Sequence, residues 1–271
     1  MKQRKALKEL NLLDKFLFDE AMDDPENVKT MLDIILSQNT NLKHPPQTEK
    51  EQRTSTDNRQ IRLDVYAIDE DDVIYEVEAQ KENTHNLPKR SRLYQGIIDS
   101  KLLPPGVVDF NLLNEVLIVL IMPFDLFGYG LYRYTFQMKC EEVPELKLDD
   151  GATRIFLNTR GKHPELVSPE LIELLKYMEH STDEISEACE SKRIQEMHRR
   201  VCQIKASEKA EVKYMQTWEE KILIKQEGER IGLERINRLN QKLIEQGRFD
   251  DLTKATSDSS YQEKLLKEFK I

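Results

Sequence analysis

A chain of 271 residues, 38% hydrophobic and 34% charged, can build one good core plus a second element, and its excess of charge points to long solvated helices. A formal charge of -9 excludes a global basic field for nucleic acid, so any such contact must come from a local patch. Cys140, Cys189 and Cys202 are odd in number and lack metal spacing, so they read as reduced thiols of a cytoplasmic protein, and no apolar run has the length of a signal peptide or of a membrane span.

From Leu12 to Gln38 an apolar stripe of helical period runs through Leu13, Leu17, Ala21, Val28, Met31, Leu32 and Ile35. "DDPEN" interrupts it, so two helices are expected, with Asp24 capping the second and Pro25 in its first turn. The polar stretch after Gln38, with Pro45 and Pro46, reads as loop with one short edge strand. Two strands follow, Ile61–Ile68 and Val73–Gln80. "KENTHN" is a turn. Leu87–Leu103 is a basic amphipathic helix, with Pro88 in its first turn and Leu93, Ile97 and Leu102 along one face. Glu115–Met122 is a nearly continuous apolar run, which predicts a central strand buried on both sides. "GLYRYTFQMKC" alternates Tyr132, Tyr134, Phe136 and Met138 with polar residues, which predicts a half-buried strand. Asp150-Gly151 is a turn before a last strand, Thr153–Thr159. Beyond Gly161 helix formers dominate, with two short helices joined at "SDSS". The reading is an α/β fold, a mixed central sheet flanked by helices, at 1–160, followed by a charged helical extension at 161–271.

The stretch "RLDVYAIDEDDVIYEVEAQ" carries an unusual pattern, because acids are unfavourable in strands. Ile61, Leu63, Val65 and Ala67 share one face of the first strand, and Arg62, Asp64 and Tyr66 the other. In the second strand Val73, Tyr75, Val77 and Ala79 oppose Glu76, Glu78 and Gln80. If both apolar sets bury against the same helices, facing residues must sum to an even number, which needs an odd connection such as Glu70–Asp72 or Asp69–Val73. One such register puts Asp64 opposite Glu78 and Arg62 opposite Gln80, with Cβ atoms ~4.5–5.5 Å apart.

Two carboxylates so placed repel, and a divalent cation between them offsets that repulsion. Oxygen-only ligands suit Mg²⁺, with Mn²⁺ as a substitute. Such an ion keeps several waters, one of which can attack a phosphorus. Gln80 can hold that water or a phosphate oxygen but cannot be a general base. The other reading of the same spacing is a hairpin with a solvated acidic face.

"LDVYAIDEDDVIYEVEAQ", then "LPKRSRLYQGIIDSKLLPPG", "LIMPFDLFGYGLYRYTF" and "DGATRIFLNTRG" in that order resemble the Rpn family of recombination-promoting nucleases and transposases. That family lies within the PD-(D/E)XK nuclease superfamily. "NLLDKFLFDEAMDDPE" resembles the family's opening helix, and "YQEKLLKEF" the end of its helical tail, so the likeness covers nearly the whole chain. The resemblance implies a restriction-endonuclease-like core and metal-dependent hydrolysis of DNA phosphodiesters. Under it, Asp64 and Glu78 are the metal-binding acids, and Gln80 takes the place where most of the wider superfamily has Lys. Two departures stand out. A proline-rich "KHPPQTEKEQRTS" stands where the first core strand is expected, which implies a short strand there, and Ala79 stands where relatives often carry a larger apolar residue.

Lys89, Arg90 and Arg92, followed by Tyr94 and Lys101, read either as phosphate contacts on DNA beside the metal or as a solvated face. Asp14 and Glu20 read as surface acids, with a further site carboxylate as the alternative. His44, His85, His163, His180 and His198 show no ligand spacing, and surface positions are expected. Gly128 and Gly130 form a turn, since the Lys-Ser or Lys-Thr of a phosphate loop is missing. Trp218 reads as a packing anchor. The tail, too irregular for a coiled coil, suits a dimerisation or DNA-guiding arm, or simply solvated helices. The leading function is a Mg²⁺-dependent DNA endonuclease, with a homodimer suited to cutting both strands. Its rivals are an inactive nuclease-fold binding module and a helical interaction protein.

Overall fold

A computed structural model describes residues 4–52 and 61–271. The chain divides into two compact units, Met1–Glu211 and Val212–Ile271. Among the described residues no helix is long and apolar enough to cross a membrane.

The first unit opens with α1 (Lys15–Met22) and α2 (Pro25–Leu36), broken where the sequence predicts. The Asp24 carboxylate accepts from the Glu26 amide at 3.0 Å, and Pro25 sits in the first turn. Both features satisfy helix-start requirements that an unbroken helix would not have. A six-stranded sheet follows: β1 (Gln47–Gln52), β2 (Ile61–Ile68), β3 (Ile74–Ala79), β4 (Val116–Met122), β5 (Arg133–Phe136) and β6 (Ala152–Asn158). Its spatial order is β1-β2-β3-β4-β6-β5. The β3–β4 and β4–β6 pairs are parallel and the other three antiparallel, so the sheet is mixed. β1 is the short edge strand expected after Pro45-Pro46. The apolar run of β4 lies at the centre, and six of its seven side chains are buried. Burial on both faces is what a strand without alternation requires.

Crossing from β3 to the parallel β4 needs a long connection, and α3 (Leu87–Asp99) supplies it. Leu87, Tyr94, Ile97 and Ile98 of α3 pack with Ile74, Val116, Ile118, Leu120 and Met122. These strand residues have even numbers, as do Asp64, Glu76 and Glu78. Strand alternation therefore aims the acids at the face that α3 covers. β5 is shorter than the alternating pattern suggests. Tyr134 is buried, but Phe136 and Met138 are exposed.

The sequence-based division near 160 and the division into compact units differ. α4 (Pro169–Glu179), α5 (Asp183–Ala188) and α6 (Lys192–Lys205) lie within the first unit. α4 and α6 pack against α2, and α6 also against α1. The Leu13 amide donates to Met178 O at 3.0 Å and the Leu12 amide to Ser181 Oγ at 2.9 Å. Leu171, Leu174, Met178, Ile194, Met197 and Val201 are buried here. Their helices complete the core instead of standing in solvent, and the boundary falls within α7 (Glu208–Glu245).

The second unit holds the remainder of α7 with α8 (Phe249–Ser257) and α9 (Ser259–Glu268). Leu239, Leu243, Ala255, Leu265 and Leu266 form its small core. Trp218 is half-buried.

Candidate active site

The β2–β3 hairpin pairs Val65 with Val77, Tyr66 with Glu76, and Ile68 with Ile74. Carried one residue further, this register faces Asp64 with Glu78, one of the registers that the parity allows. Neither acid is solvated. Asp64 is 6% exposed, Glu78 7% and Glu76 0%. The expectation of a solvated acidic face therefore fails. α3 roofs these strands, so three carboxyl groups lie on a covered face.

The chain supplies cations to this face. Lys15, in the first turn of α1, donates to Asp64 Oδ1 at 2.6 Å and to Asp19 Oδ1 at 3.1 Å. Arg90 Nη2 donates to Glu78 Oε1 and, at 2.5 Å, to Gln80 Oε1. Its guanidinium also lies over the Tyr94 ring, 5.8 Å from the centroid. Gln80 in turn donates its Nε2 to Glu82 O. Glu76 Oε1 accepts from the Asp64 amide at 3.3 Å. Two buried oxygens, Glu76 Oε2 and Glu78 Oε2, have no hydrogen-bond partner among the described residues.

Burial and crowding set the electrostatics. Glu78 is pushed up to about 7, first by burial, then by the Asp64 charge against the pull of Arg90. Asp19 rises to about 7 by burial and the nearby Asp64, opposed by Lys15. Glu76, fully enclosed, is raised well above the carboxylate range by burial and by both Asp64 and Glu78. Burial would lower Lys15, but Asp64 and Asp19 outweigh it and hold the ammonium above its ordinary value. Like charges and desolvation are the two causes that raise an acid's pKa, and both act here.

A cleft of about 510 Å³ opens onto these groups, lined by Asp64, Glu78, Gln80, Lys15, Lys89 and Arg90 among others. It lies at the carboxyl end of β3, where ligands bind in sheets with parallel strands. The three expected site residues, Asp64, Glu78 and Gln80, are thus brought together. The three expected basic residues separate. Lys89 is exposed on the cleft wall, Arg90 is half-buried and tied to Glu78, and Arg92 is exposed and not part of the lining. Arg90 is therefore engaged inside the site, because its position on α3 sets its fork over the end of β3. Asp14 is ion-paired with Lys81.

Three contributors had no role assigned from the sequence. Glu76 shares the parity of Glu78, and that alone could have flagged it. Lys15 and Asp19 are four apart on one helix face, a spacing typical of an ion pair. Nothing local, however, ties them to Asp64, 49 residues beyond Lys15.

The donor set suits a hard divalent cation. It offers two facing acid side chains, no sulfur or imidazole, and an uncommitted buried oxygen on Glu78. No family model matches the chain, and neither a curated protein nor a solved structure does.

Proposed function

We propose that the protein is a metal-dependent DNA endonuclease of the Rpn type, within the PD-(D/E)XK superfamily. One observation carries the reading: Asp64 and Glu78 face each other, buried, in an open cleft, and Glu78 Oε2 has no hydrogen-bond partner among the described residues. A buried carboxylate oxygen left without a partner is costly even where Arg90 holds the other oxygen, and a cation offsets that cost.

Asp64 and Glu78 would hold Mg²⁺ or Mn²⁺. When bound, such an ion supplies Lewis acidity and a water of lowered pKa for attack on a phosphodiester. The chain's own groups do the rest. Glu78 must shed its proton to ligate. Gln80, freed from Arg90, orients the water or a phosphate oxygen through its amide. Arg90, released from Glu78, becomes available to a phosphate, and Lys89 on the wall attracts the backbone. A homodimer would place two such clefts on a duplex.

A second reading has its own support. Lys15 and Arg90 already neutralise Asp64 and Glu78, as they would in an inactive nuclease-fold module that binds without cutting. Supercoiled plasmid decides between the two. The nuclease reading expects nicking with Mg²⁺ or Mn²⁺, its arrest by chelator, and loss of at least about 10³-fold in rate in Asp64→Ala and Glu78→Ala, of the order seen when groups that bind the transition-state charge are removed. Wild-type protein that binds plasmid but never nicks it would leave the binding module. Nicking that survives both substitutions would remove the site assignment.

A further inference from the structure

A second cluster lies apart from the cleft, between α5 and α6. His198 and Cys202 are one helical turn apart on α6 and share a face. Asp183, at the start of α5, comes to meet them. His198 Nε2 is 2.8 Å from Asp183 Oδ1 and 3.3 Å from Cys202 Sγ, and that sulfur is 3.9 Å from the same carboxylate oxygen. Zinc bonds of ~2.0–2.3 Å at tetrahedral angles set neighbouring donor atoms roughly 3.3–3.6 Å apart. The three measured edges straddle that range. Asp183 is 82% exposed along its side chain, so a small rotation evens them.

The other ring nitrogen decides what the cluster is for. Tyr177 Oη, on a fully buried side chain, is 3.0 Å from His198 Nδ1. In a nucleophilic cysteine site the acid orients one imidazole nitrogen while the other takes the thiol proton. Here the acid meets Nε2 at 2.8 Å, the sulfur lies 3.3 Å from Nε2 and 3.9 Å from Nδ1, and a neutral hydroxyl stands at Nδ1. A metal at this cluster would take the tautomer in which Nδ1–H donates to the Tyr177 hydroxyl and Nε2 is left to the ion.

We infer that Asp183, His198 and Cys202 form a binding site for a zinc-class divalent cation, clasping α5 to α6 and leaving the fourth position to water. Thiolate and imidazole select a borderline-soft ion over Mg²⁺, so this site and the carboxylate cleft prefer different metals. The thiol proton leaves on binding, so zinc affinity rises with pH.

The test uses the full-length, tag-free, reduced chain, stripped with chelator and titrated with Zn²⁺ in the presence of millimolar Mg²⁺. One equivalent is expected to bind. Co²⁺ in its place is expected to show a thiolate-to-metal charge-transfer band. Cys202→Ser should abolish that band, and both Cys202→Ser and Asp183→Asn should weaken zinc at least about tenfold, the lower bound for losing even a supporting contact. Both positions are accessible enough for the fold to survive, which circular dichroism checks. Cys140→Ser, remote from the cluster, should change nothing. Failure of the wild type to take up Zn²⁺, or a Cys202→Ser protein that keeps the band or the affinity, would overturn the assignment.

Discussion

Raising the pH from 5 to 8 without metal should weaken the first unit. Glu78 titrates at 4.5 in the unfolded chain and at about 7 when folded, so the folded protein holds the extra proton. Its contribution to stability is full below pH 4.5 and gone above about 7. Between pH 5 and 8 the loss is roughly 2–3 kcal/mol, from 1.36 kcal/mol per pKa unit. Asp19, raised from 3.8 to about 7, acts in the same direction. Both lean on Asp64, so their effects do not simply add. Asp125, Glu170 and Glu179 have lowered pKa values; what they contribute develops near pH 4, outside this window. Native-state amide exchange in the β3 peptides, corrected for the chemical rate and measured in chelator, reads the opening free energy directly. The slope should flatten in Glu78→Gln. Mg²⁺ at 100 times its Kd should add about 2.7 kcal/mol at pH 8 and far less at pH 5, where the acids are protonated. Metal-free stability that holds level or rises between pH 5 and 8 would refute the buried-acid account.

Lys15→Met leaves Asp64 and Asp19 without their shared cation. Breaking a buried pair costs about 3–5 kcal/mol, but Lys15 is 32% exposed along its side chain, so a loss of about 1–3 kcal/mol at pH 8 is expected after discounting for solvent. At pH 5 the loss should shrink as Asp19 takes up its proton, and urea unfolding at the two pH values compares them. Gly161→Ala sets a methyl against the Tyr132 ring, and overpacking of this kind costs about 1–3 kcal/mol. A melting temperature within a degree of wild type would show that the ring moves aside freely.

What the sequence makes legible here is whatever repeats with a fixed period or sits at a chain reversal. Strand alternation plus an odd connection puts Asp64 and Glu78 on one face and makes their pairing one of a few registers, and Asp24-Pro25 marks a helix start through its own hydrogen-bonding needs. The unbroken apolar run of β4 needs a cover on each side wherever the chain goes next. Burial of the acids is of another kind. "YEVEAQ" is the same string whether its even face meets water or a helix, and only the crossover from β3 to β4 brings α3 over it. The same gap explains α4 and α6. An amphipathic helix with a narrow stripe looks alike whether it closes a core or lies in solvent. The long-range bonds from Leu12 and Leu13 to the end of α4 decide the matter, and no local pattern announces them.

His198 and Cys202 lie between these cases. Their four-residue spacing on a helix is periodic, yet neither residue reads as having a ligand spacing in the sequence, and His198, expected at the surface, is buried. The third donor, Asp183, is 15 residues before His198, and a short turn between α5 and α6 returns it to the same place. A metal site needs three donors and a seated imidazole, and the sequence shows two donors on one face with nothing behind the ring. The buried Tyr177 hydroxyl, contributed by α4, is the part that seats the ring from behind, 3.0 Å from Nδ1. Ligand spacing along one helix is therefore a weak sign alone and becomes a specific one only when the packing of a second and third helix is known.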